Sequence, residues 1–260
     1  MKRDCVRIRG GELALFRLDG DSAAGSLALV WAHGWGHTHQ NMLPLAEAMR
    51  RTARSILIDF PGFGTSPLPA EAWGTEDYAD AVAEWLDRET PARWIWVGHS
   101  FGCRVGLQLA ARHPELISGL FLIAAAGLPP RRTPWARVRV AARRGAFRLA
   151  RLVIREGPAR DRLRQRFGSA DYRAAGALRP ILVKAVNEDL SEVARAVRVP
   201  ALLVVGDRDR DTPPELAMRF NRLMPQSRLV VLRGFGHLDV LTEGHHQIVQ
   251  RLAEFVEQLA

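Results

Sequence analysis

Cysteine is nearly absent from this 260-residue chain, Cys5 and Cys103 being the only two. That excludes a disulfide framework and a cysteine-rich metal site, and Cys103 reads as helix packing. Long apolar runs are also missing. None approaches the ~20 residues that a membrane-crossing helix needs, and Met1-Lys2-Arg3 leads into charged and polar residues instead of a signal-peptide core. The expectation is a soluble, cytoplasmic protein without a membrane span. Repeats and low-complexity tails are absent as well. What remains is an ordinary globular composition, in a chain long enough for one large α/β domain or for a core with an inserted lid.

Charge is uneven. The net charge is +9, yet residues 128–199 hold about 18 Arg plus Lys against about 6 Asp plus Glu, so the whole positive surplus lies in that segment. Such a stretch could recruit an acidic partner or a carboxylated substrate, or form a solvated helical face. No nucleic-acid recognition motif accompanies it, and nucleic acid is not expected as a partner.

Short apolar runs of strand length recur at Leu27-Ala28-Leu29-Val30-Trp31, Ser55-Ile56-Leu57-Ile58, Trp94-Ile95-Trp96-Val97, Leu120-Phe121-Leu122-Ile123 and Leu202-Leu203-Val204-Val205. Continuous runs suit parallel strands covered on both faces. Helical patterns lie between most of them, at Asn41 to Arg50, Glu76 to Arg88 and Phe101 to Arg112. The alternation predicts an α/β fold with a mostly parallel central sheet flanked by crossover helices. Cys5 to Arg9 and Glu12 to Leu18, separated by Gly10-Gly11, read as an edge hairpin. Leu229-Val230-Val231-Leu232 reads as a late strand and His245 to Leu259 as a closing helix. Between Pro129-Pro130 and Pro200 no comparable strand run occurs, and Arg-rich helical periodicity takes over. The predicted organisation is a core at residues 1–127, a helical cap insertion at 128–199 and the rest of the core at 200–260. Val138, Val140, Phe147, Leu149, Leu152 and Val153 would give the first cap helices a buried side.

Gly98-His99-Ser100-Phe101-Gly102 reads G-x-S-x-G at a strand-to-helix junction. A sharp turn there lifts a serine hydroxyl above the end of a sheet, and the N–H groups that follow point at negative charge developing beside it. A neutral serine attacks poorly and needs a base that takes its proton near pH 7 and returns it to a leaving group. Imidazole meets both demands. A carboxylate on the far ring nitrogen fixes the tautomer and stabilises the imidazolium.

Four separated stretches, taken in order, resemble the α/β-hydrolase fold superfamily: His33-Gly34-Trp35-Gly36; Asp59-Phe60-Pro61-Gly62-Phe63-Gly64-Thr65-Ser66; the G-x-S-x-G serine; and Gly206-x-x-Asp209-x-x-x-Pro213 followed by Gly236-His237. The resemblance implies Ser100 as nucleophile, His237 as base and Asp209 as orienting acid, in the family's chain order. It also implies an oxyanion hole from the N–H groups of Trp35 and Phe101. Asp207 and Asp211 are weaker choices for the acid, and Asp59 is expected to cap its own turn. His33, His37 and His99 are candidate substrate contacts, with a loop-structuring role preferred for His37 and His39. No metal or organic cofactor is implied. Family members that open epoxides or displace halide carry a carboxylate where this chain has Ser100, so those reactions are disfavoured. Cys103 stands where many relatives have a smaller residue.

The expected reaction is hydrolysis of carboxylic esters through an acyl-serine. The His-Gly-Trp-Gly and Phe-Pro-Gly-Phe-Gly stretches are also similar to pimeloyl-carrier-protein methyl ester esterases, whose carrier binds at a basic cap. That similarity adds a carrier-linked acyl substrate to the small-molecule esters already expected. Two other readings keep the same fold: a C–C bond hydrolase of a vinylogous diketone acid, and a non-catalytic ligand-binding protein.

Overall fold

The computed structural model describes residues 1–19, 27–89, 93–129 and 170–260, with positions 135, 139 and 145. Among the described residues, eight strands form one sheet in the order β1-β2-β4-β3-β5-β6-β7-β8. The hairpin of β1 (Lys2–Ile8) and β2 (Gly11–Leu18) is antiparallel and joins β4 (Arg54–Asp59) antiparallel at one edge. The other strands run parallel: β3 (Leu27–Ala32), β5 (Arg93–His99), β6 (Ile117–Ile123), β7 (Ala201–Gly206) and β8 (Ser227–Leu232).

The central strands are apolar at nearly every position because both faces are covered, and the pleat divides their side chains between two cores. Ala28, Val30 and Ala32 of β3, with Trp94 and Trp96 of β5, face one side together with α2 (Thr75–Arg88) and α3 (Phe101–Arg112). Leu27, Leu29, Trp31, Ile95 and Val97 face the other, against α1 (Leu43–Ala48) and the closing helix, His245–Leu259. Each connection from β3 to β6 places its helix on a face, and the loops leaving the carboxyl ends of β3, β5, β7 and β8 meet at one end of the sheet. Open α/β sheets bind ligands at that end.

Of the expected cap, residues 170–199 are described apart from its first part. They form α4 (Ala170–Ala174), a short 3-10 turn (Gly176–Leu178), α5 (Arg179–Asn187) and α6 (Ser191–Ala196), all between β6 and β7. Val138, Val140, Phe147, Leu149, Leu152 and Val153 lie outside the described residues. α5 is tied down by polar contacts. Arg104 of α3 donates to the Ala185 carbonyl at 2.6 Å, and Glu188 accepts from the N–H and hydroxyl of Thr75 at 2.9 and 2.7 Å.

Three elements complete the chain: α7 (Pro214–Leu223), α8 (Asp239–Thr242) and α9 (His245–Leu259). Among the described residues, no helix is long and apolar enough to cross a membrane.

Candidate active site

β5 ends at His99, α3 begins at Phe101, and Ser100 between them has φ 48° and ψ −100°. Left-handed backbone at a non-glycine residue costs on the order of 1–3 kcal/mol, so the surroundings must hold it. They do so through the backbone. Ser100 N–H donates to the Ile123 carbonyl at 3.0 Å, and Gly102 N–H donates to the His33 carbonyl at 3.1 Å. The two glycines of the motif are needed for closeness. A Cβ on Gly102 would lie 2.3 Å from the Ala32 carbonyl oxygen, and one on Gly98 would lie 2.7 Å from Gly102. The turn is thus clamped between the ends of β3 and β6, with Ser100 half-buried.

The Gly34 turn after β3 lies directly alongside, since a Cβ at Gly34 would come within 3.5 Å of the Ser100 Cβ. Trp35 follows it, its indole edge-on to Phe63 at 5.0 Å and to Phe101 at 5.6 Å between ring centroids. Phe101 is buried and also meets Phe60 and Tyr78 edge-on, which fixes the first turn of α3. Trp35 and Phe101 are therefore neighbours, on the two segments that flank Ser100.

Asp209, in the loop that leaves β7, is 3% exposed and every lone-pair direction of its carboxylate is used. Oδ1 accepts from the N–H groups of Asp211 and Thr212 at 2.9 and 2.8 Å; Oδ2 accepts from the Thr212 hydroxyl at 2.7 Å and from His237 Nδ1 at 2.8 Å. Burial works against ionisation, but the hydrogen bonds from His237 and Thr212 outweigh it and hold this carboxyl below its ordinary range. An ionised carboxylate on Nδ1 places the ring proton there. That leaves the Nε2 lone pair of His237 free to accept a proton.

The neighbouring acids have other tasks. Asp207 accepts from Gly234 N–H at 2.7 Å, and Asp239 accepts from Gly236 N–H at 2.7 Å, so both shape the loop that carries His237. Asp211 is exposed. Asp209, Asp211 and His237 put three ligand-type atoms within 4.8 Å of one another, but Asp209 and His237 already satisfy each other.

The histidines near the motif divide by burial. His33 is fully buried: Phe60 N–H donates to its Nε2 at 3.1 Å and its Nδ1 lies 2.8 Å from the Gly34 carbonyl. Burial lowers it to about 4, which keeps the ring neutral. His99 is 1% exposed, and its Nε2 donates to the His237 carbonyl at 3.0 Å. His33 and His99, expected at the substrate, are instead enclosed by protein: the His33 ring meets the loop after β4 at Phe60, and the His99 ring meets the loop after β8 at His237. His37 stays half-buried, its ring centroid 6.3 Å from that of His99. His39 is structural. Its Nδ1 donates to Asp59 at 2.9 Å and its ring stacks on Phe16 at 3.4 Å.

Asp59 also accepts from the His39 and Thr65 N–H groups at 2.7 and 2.9 Å. Burial opposes its charge, and these donors hold it below the ordinary 3.8 nonetheless. A depressed carboxyl contributes stability that is complete above its unfolded value and is lost as pH falls through its folded value. Asp59→Asn should therefore cost about 3 kcal/mol at neutral pH, with the gap to wild type narrowing below pH ~4. Urea unfolding at several pH values measures it; a gap that is constant with pH contradicts this account.

Thr212 escaped the sequence reading. The only available signal was its position three residues after Asp209, where a hydroxyl can close a turn onto a carboxylate. Cys103 packs as expected, buried, with its thiol pushed up by burial and directed at the Gly98 and Ile123 carbonyls.

Residues 29–251 match the alpha/beta hydrolase family. The chain belongs to that family. Among relatives of this alpha/beta hydrolase is the pimeloyl-[acyl-carrier protein] methyl ester esterase of Neisseria meningitidis, 31% identical over 225 residues that cover 81% of this chain and 86% of that protein. Two solved structures share its fold. The enol-lactonase from Burkholderia xenovorans gives a TM-score of 0.74 at 23% identity, covering 98% of this chain and 100% of that one. A thermophilic esterase from Thermogutta terrifontis gives 0.72 at 22%, covering 100% and 99%. This is an alpha/beta hydrolase with esterases among its relatives.

Proposed function

We propose that this alpha/beta hydrolase is a serine esterase in which Ser100, His237 and Asp209 form the catalytic triad. The observation that carries the proposal is the saturated Asp209 carboxylate on His237 Nδ1, on a loop that also touches the residue beside Ser100. In the first half-reaction the Ser100 Oγ–H proton passes to His237 Nε2 as Oγ bonds the ester carbonyl carbon. The carbonyl oxygen becomes an oxyanion that the N–H groups of Trp35 and Phe101 stabilise, each worth roughly 3 kcal/mol. The C–O bond then breaks, and the alcohol leaves with the proton from His237. Water repeats the sequence on the acyl-serine, releasing the acid and restoring the serine. No metal or organic cofactor takes part in these steps.

For substrate we propose a carboxylic ester whose acyl group is acidic or borne on an acidic carrier protein. Support comes from the activity of the Neisseria relative, a pimeloyl-[acyl-carrier protein] methyl ester esterase, and from the arginine-dense segment 128–199, which we assign as a cap on the core formed by 1–127 and 200–260. The test is a panel of p-nitrophenyl esters, thioesters and a carrier-linked methyl ester. The carrier-linked ester should be hydrolysed fastest, with a rate that falls steeply between 50 and 500 mM salt, as the Debye length contracts from about 14 to about 4 Å. A carrier-linked rate indifferent to salt, or no ester hydrolysis at all, contradicts the reading.

A further inference from the structure

His99 occupies the position before the nucleophile, yet its ring lies under the histidine loop and not in the site. Its Nε2 donates to the backbone carbonyl of His237 at 3.0 Å, and the two imidazoles lie 4.9 Å apart between centroids at a 46° tilt. The ring is 1% exposed. Because Nε2 carries the proton, Nδ1 is a bare lone pair, and among the described residues it has no hydrogen-bond partner. An unsatisfied buried nitrogen costs on the order of 1–3 kcal/mol. Nothing in packing alone asks for an imidazole here, since a leucine fills similar volume without that cost.

We propose that His99 is a positioning residue that fixes the base over the nucleophile: one side chain, rigidly attached next to Ser100, holds the backbone of His237 in place. The inference rests on the triad reading above and adds to it. Adjacency explains why the link is short. His99 is the last residue of β5 and Ser100 is the next in the chain, so any shift of the histidine loop relative to the serine must break the bond from His99. The Gly34 Cα covers the Nδ1 edge, and a Cβ there would lie 2.7 Å from Nδ1. The ring can therefore neither flip outward nor gain a second proton with an acceptor to receive it. Burial, reinforced by neighbouring His237, lowers His99 to about 3, which keeps it uncharged beside the base. A neutral donor holds the loop without placing a positive charge next to the imidazolium that forms during turnover.

The experiment uses the full chain with p-nitrophenyl acetate. His99→Leu should lower kcat by about 10- to 100-fold, the effect of a displacement of about 1 Å in a reacting group, with KM changed less than about two-fold. The rate of labelling by a fluorophosphonate should fall in parallel. His99→Gln carries an amide N–H at similar reach and should recover most of the loss. If His99→Leu does not fold, the comparison moves to His99→Gln against His99→Asn, whose amide stops short of the carbonyl: glutamine should remain near wild type and asparagine should be slow. A folded leucine variant with wild-type kcat, a change confined to KM, or glutamine as slow as leucine or asparagine overturns the proposal. Wild type that labels at Ser100 while the leucine variant labels equally fast removes this inference alone. Wild type that does not label removes the triad reading, and the inference with it.

Discussion

Ser100→Ala should lower the kcat of ester hydrolysis by about 10⁶-fold, and Ser100→Gly should do the same while raising the melting temperature. The two outcomes come from one geometry. At φ 48° and ψ −100° the serine occupies backbone space that a Cβ opposes, and its bonds to Ile123 and the packing of Gly98 and Gly102 keep it there. Alanine keeps the Cβ and therefore the strain, so its stability should stay near wild type. Glycine releases on the order of 1 kcal/mol or more, diminished by the larger entropy of its unfolded chain. Kinetics and thermal unfolding of both variants read the two effects apart. A glycine variant that is less stable than alanine would mean that the turn is not strained, and an alanine variant that retains turnover would mean that another group attacks.

Asp209→Asn comes second in size, with kcat reduced about 10⁴-fold. An asparagine either presents its amide N–H₂ to His237 Nδ1, or turns its carbonyl there and sets the N–H₂ against the N–H groups of Asp211 and Thr212, which then lose their acceptor. The imidazole then loses the carboxylate that stabilises its protonated form, and its tautomer is no longer fixed. Asp207→Asn should leave kcat within about two-fold, since Asp207 only accepts from the Gly234 N–H. Reversal of the two effects would transfer the acid's role to Asp207. Equal, small effects would remove the carboxylate from the mechanism.

Much of this architecture was legible before any coordinates because fully covered parallel strands are written as unbroken apolar runs. Trp94, Ile95, Trp96 and Val97 alternate between the two cores, so no polar residue interrupts them. Boundaries were less legible where a local feature overrode the pattern. The expected helix from Asn41 begins at Leu43, because Thr38 caps a 3-10 turn over His39–Asn41. β6 starts at Ile117, three residues before its expected apolar run, through Gly119, which packs against Phe255 and Leu259. α7 was not anticipated; only Ala217 and Phe220 of it are buried, too narrow a stripe to stand out.

The residues of the proposed triad, Ser100, Asp209 and His237, stand out in the sequence because backbone demands and chemistry both leave marks at fixed spacing. The orientation of a side chain at a strand end leaves none. His33 and His99 sit beside the motif residues in sequence, and nothing in their neighbours tells that their rings turn inward to brace the Phe60 and His237 loops. Substrate choice is harder still: residues 128–199, which we propose to set it, give charge but not shape by their composition.

Covalent labelling of the intact protein by a fluorophosphonate, followed by peptide mass spectrometry, tests the proposed triad most directly. One adduct per chain is expected, on the peptide containing Ser100, with labelling lost in Ser100→Ala and slowed in Asp209→Asn and His237→Gln. An unlabelled wild type, or an adduct on any other residue, would contradict the triad.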